Sequence, residues 1–131
     1  MDSKMKKIIS TSTFLVQPGE FWYVKVSKFP DSKKHFMISQ DSDEITVLTK
    51  KENVQELEII KKNPQDWKLI ALNLSAPFTA GFLAIVTSAI AKEKTNSLIV
   101  STYSKDYVIA RKEHLNKVVK ALKKLGLKEA K

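Results

Sequence analysis

Residues 97–110, Ser-Leu-Ile-Val-Ser-Thr-Tyr-Ser-Lys-Asp-Tyr-Val-Ile-Ala, constrain the fold more than any other stretch of the chain. β-Branched and aromatic residues crowd both sides of the polar tetrad Tyr103, Ser104, Lys105 and Asp106. The spacing predicts two short strands, 98–102 and 107–110, joined as a tight hairpin. Neither strand alternates: Leu98, Ile99 and Val100 run together, as do Tyr107, Val108, Ile109 and Ala110, which is the pattern of strands covered on both faces. At the mouth of the hairpin stand Ser101, Thr102 and Asp106, two hydroxyls and a carboxylate able to meet a small polar ligand.

Around this hairpin the second half of the chain reads as strand, helix, strand, strand, helix. Trp67 begins a strand that runs to Leu74, and Ser75, Ala76 and Pro77 stop it. A helix follows from Thr79, whose hydroxyl can cap it, through Phe82, Leu83, Val86 and Ile90 to about Lys92. After the hairpin, Lys112 or Glu113 opens a second helix with Leu115, Val118, Val119, Leu122 and Leu125 on one face, and Gly126 stops it. With a short last strand within 127–130, this is the βαββαβ order of a ferredoxin-like domain. The first half is richer in strands. Expected strands lie within 6–16, over 21–26, and over 35–39 and 44–48 around the turn-forming Gln40, Asp41, Ser42 and Asp43. Val54, Leu57 and Ile59 or Ile60 predict a short surface helix within 50–63, ended by Pro64. The expected units are therefore 1–64 and 65–131, packed together without a low-complexity linker.

Composition removes several functions. The chain has no cysteine and only two histidines among 131 residues, so it has no disulfide framework, no thiolate metal site and no expected metal or cofactor. His35 and His114 lack a neighbouring nucleophile and are assigned to structure, as are Trp22 and Trp67, and no catalytic residue is expected. Neither a signal-peptide core nor a membrane-length apolar run is legible, which predicts a cytoplasmic protein. The formal charge of +9 is concentrated late: the last 21 residues hold 8 basic and 2 acidic side chains. That helix lacks interleaved aromatics, so a solvated lysine-rich face is favoured over nucleic-acid binding.

Taken together, Trp67 and its strand, the Gly81-Phe82-Leu83 helix start, the hairpin around Ser101-Thr102-Tyr103 and Asp106, and the closing run Arg111 to Leu115 resemble the CASTOR-type ACT domains, small tandem-ACT proteins that bind amino acids. The strands at 35–39 and 44–48 resemble that family's first unit. The resemblance implies an α+β protein of two packed ACT-like, ferredoxin-like βαββαβ units, the first strand-rich and degenerate. It further implies a non-catalytic amino-acid sensor whose partners are a second copy of the chain and a regulated protein, with the ligand held between ACT units. Carried over by the resemblance, the ligand-binding residues are Gly81, Phe82, Leu83, Asn96, Ser97, Thr102, Tyr103 and Asp106. A helix start suits an α-carboxylate, and a glycine there admits the ligand close to the backbone. Asp106 has two readings, a turn residue bonding its own backbone or a partner for the ligand's amino group. Lys105, Thr79 and Ala80 depart from the family pattern, which bears on the ligand's identity. The competing readings are nucleic-acid binding through the basic C-terminal helix and a purely structural oligomerisation module.

Overall fold

In the computed structural model, which describes residues 1–131, a helix takes the first part of the 6–16 span where a strand was expected, and the strand itself is confined to Thr13–Val16. The order is α1 (Ser3–Ser10), β1 (Thr13–Val16), β2 (Phe21–Val26), β3 (Met37–Gln40), β4 (Ile45–Lys50), β5 (Ile59–Lys62), β6 (Trp67–Asn73), α2 (Phe82–Lys92), β7 (Leu98–Ser101), β8 (Asp106–Arg111), α3 (Leu115–Leu125) and β9 (Lys128–Glu129). Single 3-10 turns lie at Ser32–Lys34, Lys51–Asn53 and Lys112–His114. The fold is α+β with ACT-like, ferredoxin-type architecture.

Two compact units divide the chain, one made of Met1–Gln17 with Leu69–Lys131 and the other of Pro18–Lys68. They are not the sequential halves 1–64 and 65–131 expected from the sequence. The reason is strand pairing: β1 lies antiparallel to β6, Thr13 opposite Asn73 and Val16 opposite Ile70, and parallel to β9. The N-terminal helix and strand thereby belong with the C-terminal βαββαβ segment.

In that larger unit the strands run β9-β1-β6-β8-β7. The first strand of the chain thus sits between β6 and β9, a place that sequence order alone does not assign to it. α1 forms because Asp2, with extended backbone, accepts a 2.7 Å bond from the Met5 amide through Oδ1, and because Met5, Ile8 and Ile9 share one buried face. Ile9 and Met5 join Phe14, Ile70, Leu72, Phe82, Val86, Ile90, Val108, Val118 and Leu122 in one core. α3 ends as expected at Gly126, whose φ of +115° lets the amides of Gly126 and Leu127 turn back onto the carbonyls of Lys123 and Leu122 at 3.0 and 3.2 Å.

The smaller unit is built on strands and 3-10 turns. β2 pairs antiparallel with β4 over its whole length, Phe21 opposite Lys50 to Val26 opposite Ile45, while β3 adds to β4 and β5 to the other side of β2. The helix expected within 50–63 is replaced by the 3-10 turn and β5. Leu57 packs against Val24, Val26 and Val47, and the unpaired edge of β2 takes up the backbone of Ile59–Lys62. Pairing along an open strand edge outweighs a weak helical spacing. At the β3–β4 turn Asp41 accepts bonds from the amides of Asp43 and Glu44 at 2.8 and 2.9 Å; these hold its carboxyl below the ordinary 3.8.

Candidate functional site

The hairpin of the larger unit closes as predicted. Ser101 pairs with Asp106 across β7 and β8, and the Thr102 amide donates to the Lys105 carbonyl at 2.8 Å. Asp106 thus opens β8 with its carboxylate at the turn. Its Oδ1 accepts the Ser101 hydroxyl at 2.5 Å, and its Oδ2 has no partner within the chain. The turn reading of Asp106 therefore needs restating: its bond runs across the hairpin to another side chain, and half of its carboxylate stays available.

Opposite the hairpin, the loop after β6 leads into α2. Thr79 was expected to cap this helix, but its hydroxyl donates to the Ala76 carbonyl at 2.5 Å, and the helix starts at Phe82. The N-cap is Gly81 at φ +88°, which offers no side-chain acceptor. Ile85 makes the first helical bond, to the Gly81 carbonyl at 3.2 Å, so the amides of Leu83 and Ala84 are left without an acceptor in the chain. A bulky residue nearby also takes a left-handed backbone: Phe78 has φ +62° and is 86% exposed.

Between hairpin and loop lies a cavity of about 320 Å³ lined by Leu72, Leu74, Pro77, Phe78, Thr79, Phe82, Leu83 and residues 101–106. Of the residues expected at a ligand site, Phe82, Leu83, Thr102, Tyr103 and Asp106 line it. Gly81 does not reach the wall; it shapes the loop just before it. Asn96 and Ser97 precede β7, at the end away from the turn, about 17 and 13 Å along the strand from Ser101 at the usual rise per residue. This chain's own Asn96 and Ser97 are therefore not brought to its cavity. Sequence reasoning overlooked Leu74, Pro77 and Phe78, because the segment between β6 and α2 has no periodicity to read. Only the cluster of Pro77 and two aromatics around the helix start marked it. Lys105 and Asp106 are the charged residues of the lining; Thr79, Ser101, Thr102 and Ser104 add hydroxyls, and the others are aliphatic or aromatic.

Both histidines are held by structural bonds. His35 bridges Thr49 Oγ1 at 2.8 Å and Glu56 Oε1 at 2.9 Å, and His114 Nδ1 meets Thr95 Oγ1 at 2.6 Å. No group of three or more His, Asp or Glu residues is placed to hold a metal ion, and no helix is long and apolar enough to cross a membrane. The basic C-terminal region is partly neutralised: Lys120 and Lys124 face Glu93, Lys123 faces Glu129, and Arg111 contacts Glu113 at 2.6 Å.

Comparison with known proteins bears on this geometry. The family model described as ACT domain matches residues 63–124, from just before β6 to within one residue of the end of α3. A Vibrio cholerae protein of unknown function, described as a possible transport protein, superposes with a TM-score of 0.80 at 16% identity, covering 94% of this chain and 96% of that one. The protein Atu0741 of Agrobacterium tumefaciens gives 0.72 at 18% identity, with 91% and 92% covered. The regulatory subunit of aspartate kinase from Thermus thermophilus, in its ligand-free form, gives 0.63 at 14% identity, with 89% and 97% covered. Curated proteins provide no match. The ACT-domain model thus matches just under half of the chain, and the fold is shared with an aspartate kinase regulatory subunit.

Proposed function

We propose that this protein is a non-catalytic regulatory protein that binds an amino acid in the cavity between the hairpin turn and the start of α2. One observation carries the reading: Asp106, with its free Oδ2, and Leu83, with its unsatisfied amide at the start of α2, line the same cavity. An α-amino acid carries a cation and an anion on one carbon, and these groups are its complements. The carboxylate of Asp106 suits the ammonium through a charge-assisted bond, and the positive end of α2 suits the carboxylate. The ACT match and the aspartate kinase regulatory subunit support the regulatory class.

In this reading a second copy of the chain completes the site, and the CASTOR-type subfamily is the branch we assign. Phe78 and Tyr103, 86% and 91% exposed in the cavity lining, support a cover supplied from outside the chain. Ligand would favour one arrangement of the two copies and thereby change affinity for a cytoplasmic protein partner by the same coupling energy. A structural oligomerisation module would fill this space with side chains; the cavity volume counts against it. Calorimetric titration of the full chain with each of the twenty amino acids tests the proposal. Binding tighter than millimolar, weakened in Asp106→Ala, is the expected result. If no amino acid binds at that level and the substitution changes nothing, the proposal fails.

A further inference from the structure

The lining of this cavity also discriminates among amino acids, an inference that rests on the reading of the site as an amino-acid pocket. Every α-amino acid presents one ammonium and one carboxylate. The cavity wall supplies one carboxylate, Asp106, and one ammonium, Lys105. The ammonium of the ligand takes Asp106, whose Oδ2 is open, and the ligand's carboxylate takes the α2 amides or Lys105. No second carboxylate lines the cavity to pair a lysine or arginine side chain, and a ligand side chain that ends in a carboxylate would compete with its own α-carboxylate for Lys105.

Away from the hairpin turn the wall is mostly apolar, with Thr79 as its one hydroxyl. Leu72 and Phe82 form a buried floor, each 1% exposed, and Leu74, Pro77, Phe78 and Leu83 continue it toward the mouth. Of the serine and threonine hydroxyls in the lining, Thr79 donates to the Ala76 carbonyl, Ser101 to Asp106 and Thr102 to the Lys105 carbonyl at 3.4 Å, which leaves Ser104, at the hairpin turn and away from the Leu72 and Phe82 floor. A cavity of about 320 Å³ lies at the small end of the range of about 300–1,000 Å³ typical for ligand pockets, so it suits one amino acid and not a peptide. We infer that the site selects free L-amino acids with uncharged, apolar side chains, the side chain resting on Leu72, Leu74, Phe82 and Leu83 while Asp106 holds the α-amino group. A charged side chain placed on that floor would lose its water without gaining a partner, a cost large enough to exclude it.

Competition calorimetry on the full chain tests this with L-leucine, L-valine, L-methionine and L-phenylalanine against L-lysine, L-arginine, L-aspartate and L-glutamate. At least one apolar amino acid is expected to bind about tenfold or more tightly than every charged one, a difference of about 1.4 kcal/mol. On the unaltered protein, 4-methylpentanoate, which is leucine without its amino group, is expected to lose at least about tenfold relative to L-leucine, and Asp106→Asn to lose a similar factor for L-leucine itself. If a charged amino acid binds tightest, the selectivity inference is overturned while the amino-acid reading stands. If L-leucine and 4-methylpentanoate bind equally, the placement of the amino group on Asp106 is overturned. If none of the eight amino acids binds, this inference falls, and titration with the remaining twelve decides whether the broader reading falls with it.

Discussion

Replacing Gly81 with alanine separates two reasons for a glycine at the start of α2. The resemblance to amino-acid-binding domains gives it a steric role, leaving room for a ligand against the backbone. The structure gives it a conformational one: φ is +88°, while a Cβ built there meets only Met5 Cε, at 3.9 Å, an ordinary contact. Steric cost is therefore near zero, and the left-handed backbone sets the magnitude. Holding an L-residue in that region costs about 1–2 kcal/mol. Loss of unfolded-state freedom on going from glycine to alanine returns about 0.4–1 kcal/mol, and the strain wins. The net expectation for Gly81→Ala is a loss of about 1 kcal/mol, or a fall in Tm of about 3–6 °C for a chain of this size. Urea unfolding followed by far-ultraviolet circular dichroism measures it. Gly81→Asn serves as the control, because asparagine tolerates the left-handed region better and should lose less. A fully stable Gly81→Ala protein, or an asparagine variant worse than the alanine one, would refute the reasoning. Because Gly81 lies outside the cavity wall, ligand affinity in Gly81→Ala should stay within about twofold of the unaltered chain, well short of the 1.4 kcal/mol that tenfold represents.

Two further effects follow from local bonds. Asp2→Ala removes the acceptor of the 2.7 Å bond from the Met5 amide and should cost about 1 kcal/mol in denaturant unfolding, with Asp2→Asn largely restoring it; the loss is visible globally because Met5 and Ile9 belong to the core. Lys51 bonds Glu20 at 2.8 Å and Asp66 at 3.0 Å, and these partners, Glu20 first, hold its ammonium above the ordinary 10.5. A raised folded value means the stabilisation is complete below about pH 10.5 and disappears as pH rises through the folded value, so the Tm gap between the protein and Lys51→Met should be constant from about pH 7 to 10 and shrink above that. A gap that persists undiminished at higher pH would show that the ion pairs are not its source.

How much of this was legible in the sequence depended on whether local pattern or distant pairing decided the outcome. The hairpin, β2 and the stop at Gly126 were readable because β-branched runs, alternation and a C-terminal glycine act within a few residues. α1 was read as a strand because Ile8 and Ile9 precede a run of serines and threonines. The Asp2 cap with Met5, Ile8 and Ile9 at helical spacing was the signal that could have corrected it. β5 was read as helix because Val54, Leu57 and Ile60 mimic a helical stripe, and only the open edge of β2 reveals the strand. The insertion of β1 between β6 and β9 is a long-range pairing that no window of sequence contains. Of the residues that the family resemblance carried to the site, Phe82, Leu83, Thr102, Tyr103 and Asp106 line the cavity. Leu74, Pro77 and Phe78 depend on the path of an irregular loop, with Phe78 itself in a left-handed conformation, and that path is set by tertiary structure.

The central claim, that amino acids bind between the hairpin turn and the start of α2, is tested most directly by following the isotope-labelled backbone amides of the full chain by NMR while free amino acids are added. The account predicts saturable shifts that are largest at Leu83, Ala84 and residues 102–106, with little change in β3, β4 and β5. Saturable shifts centred on β3 to β5, or none anywhere with the spectrum otherwise that of a folded protein, would contradict it.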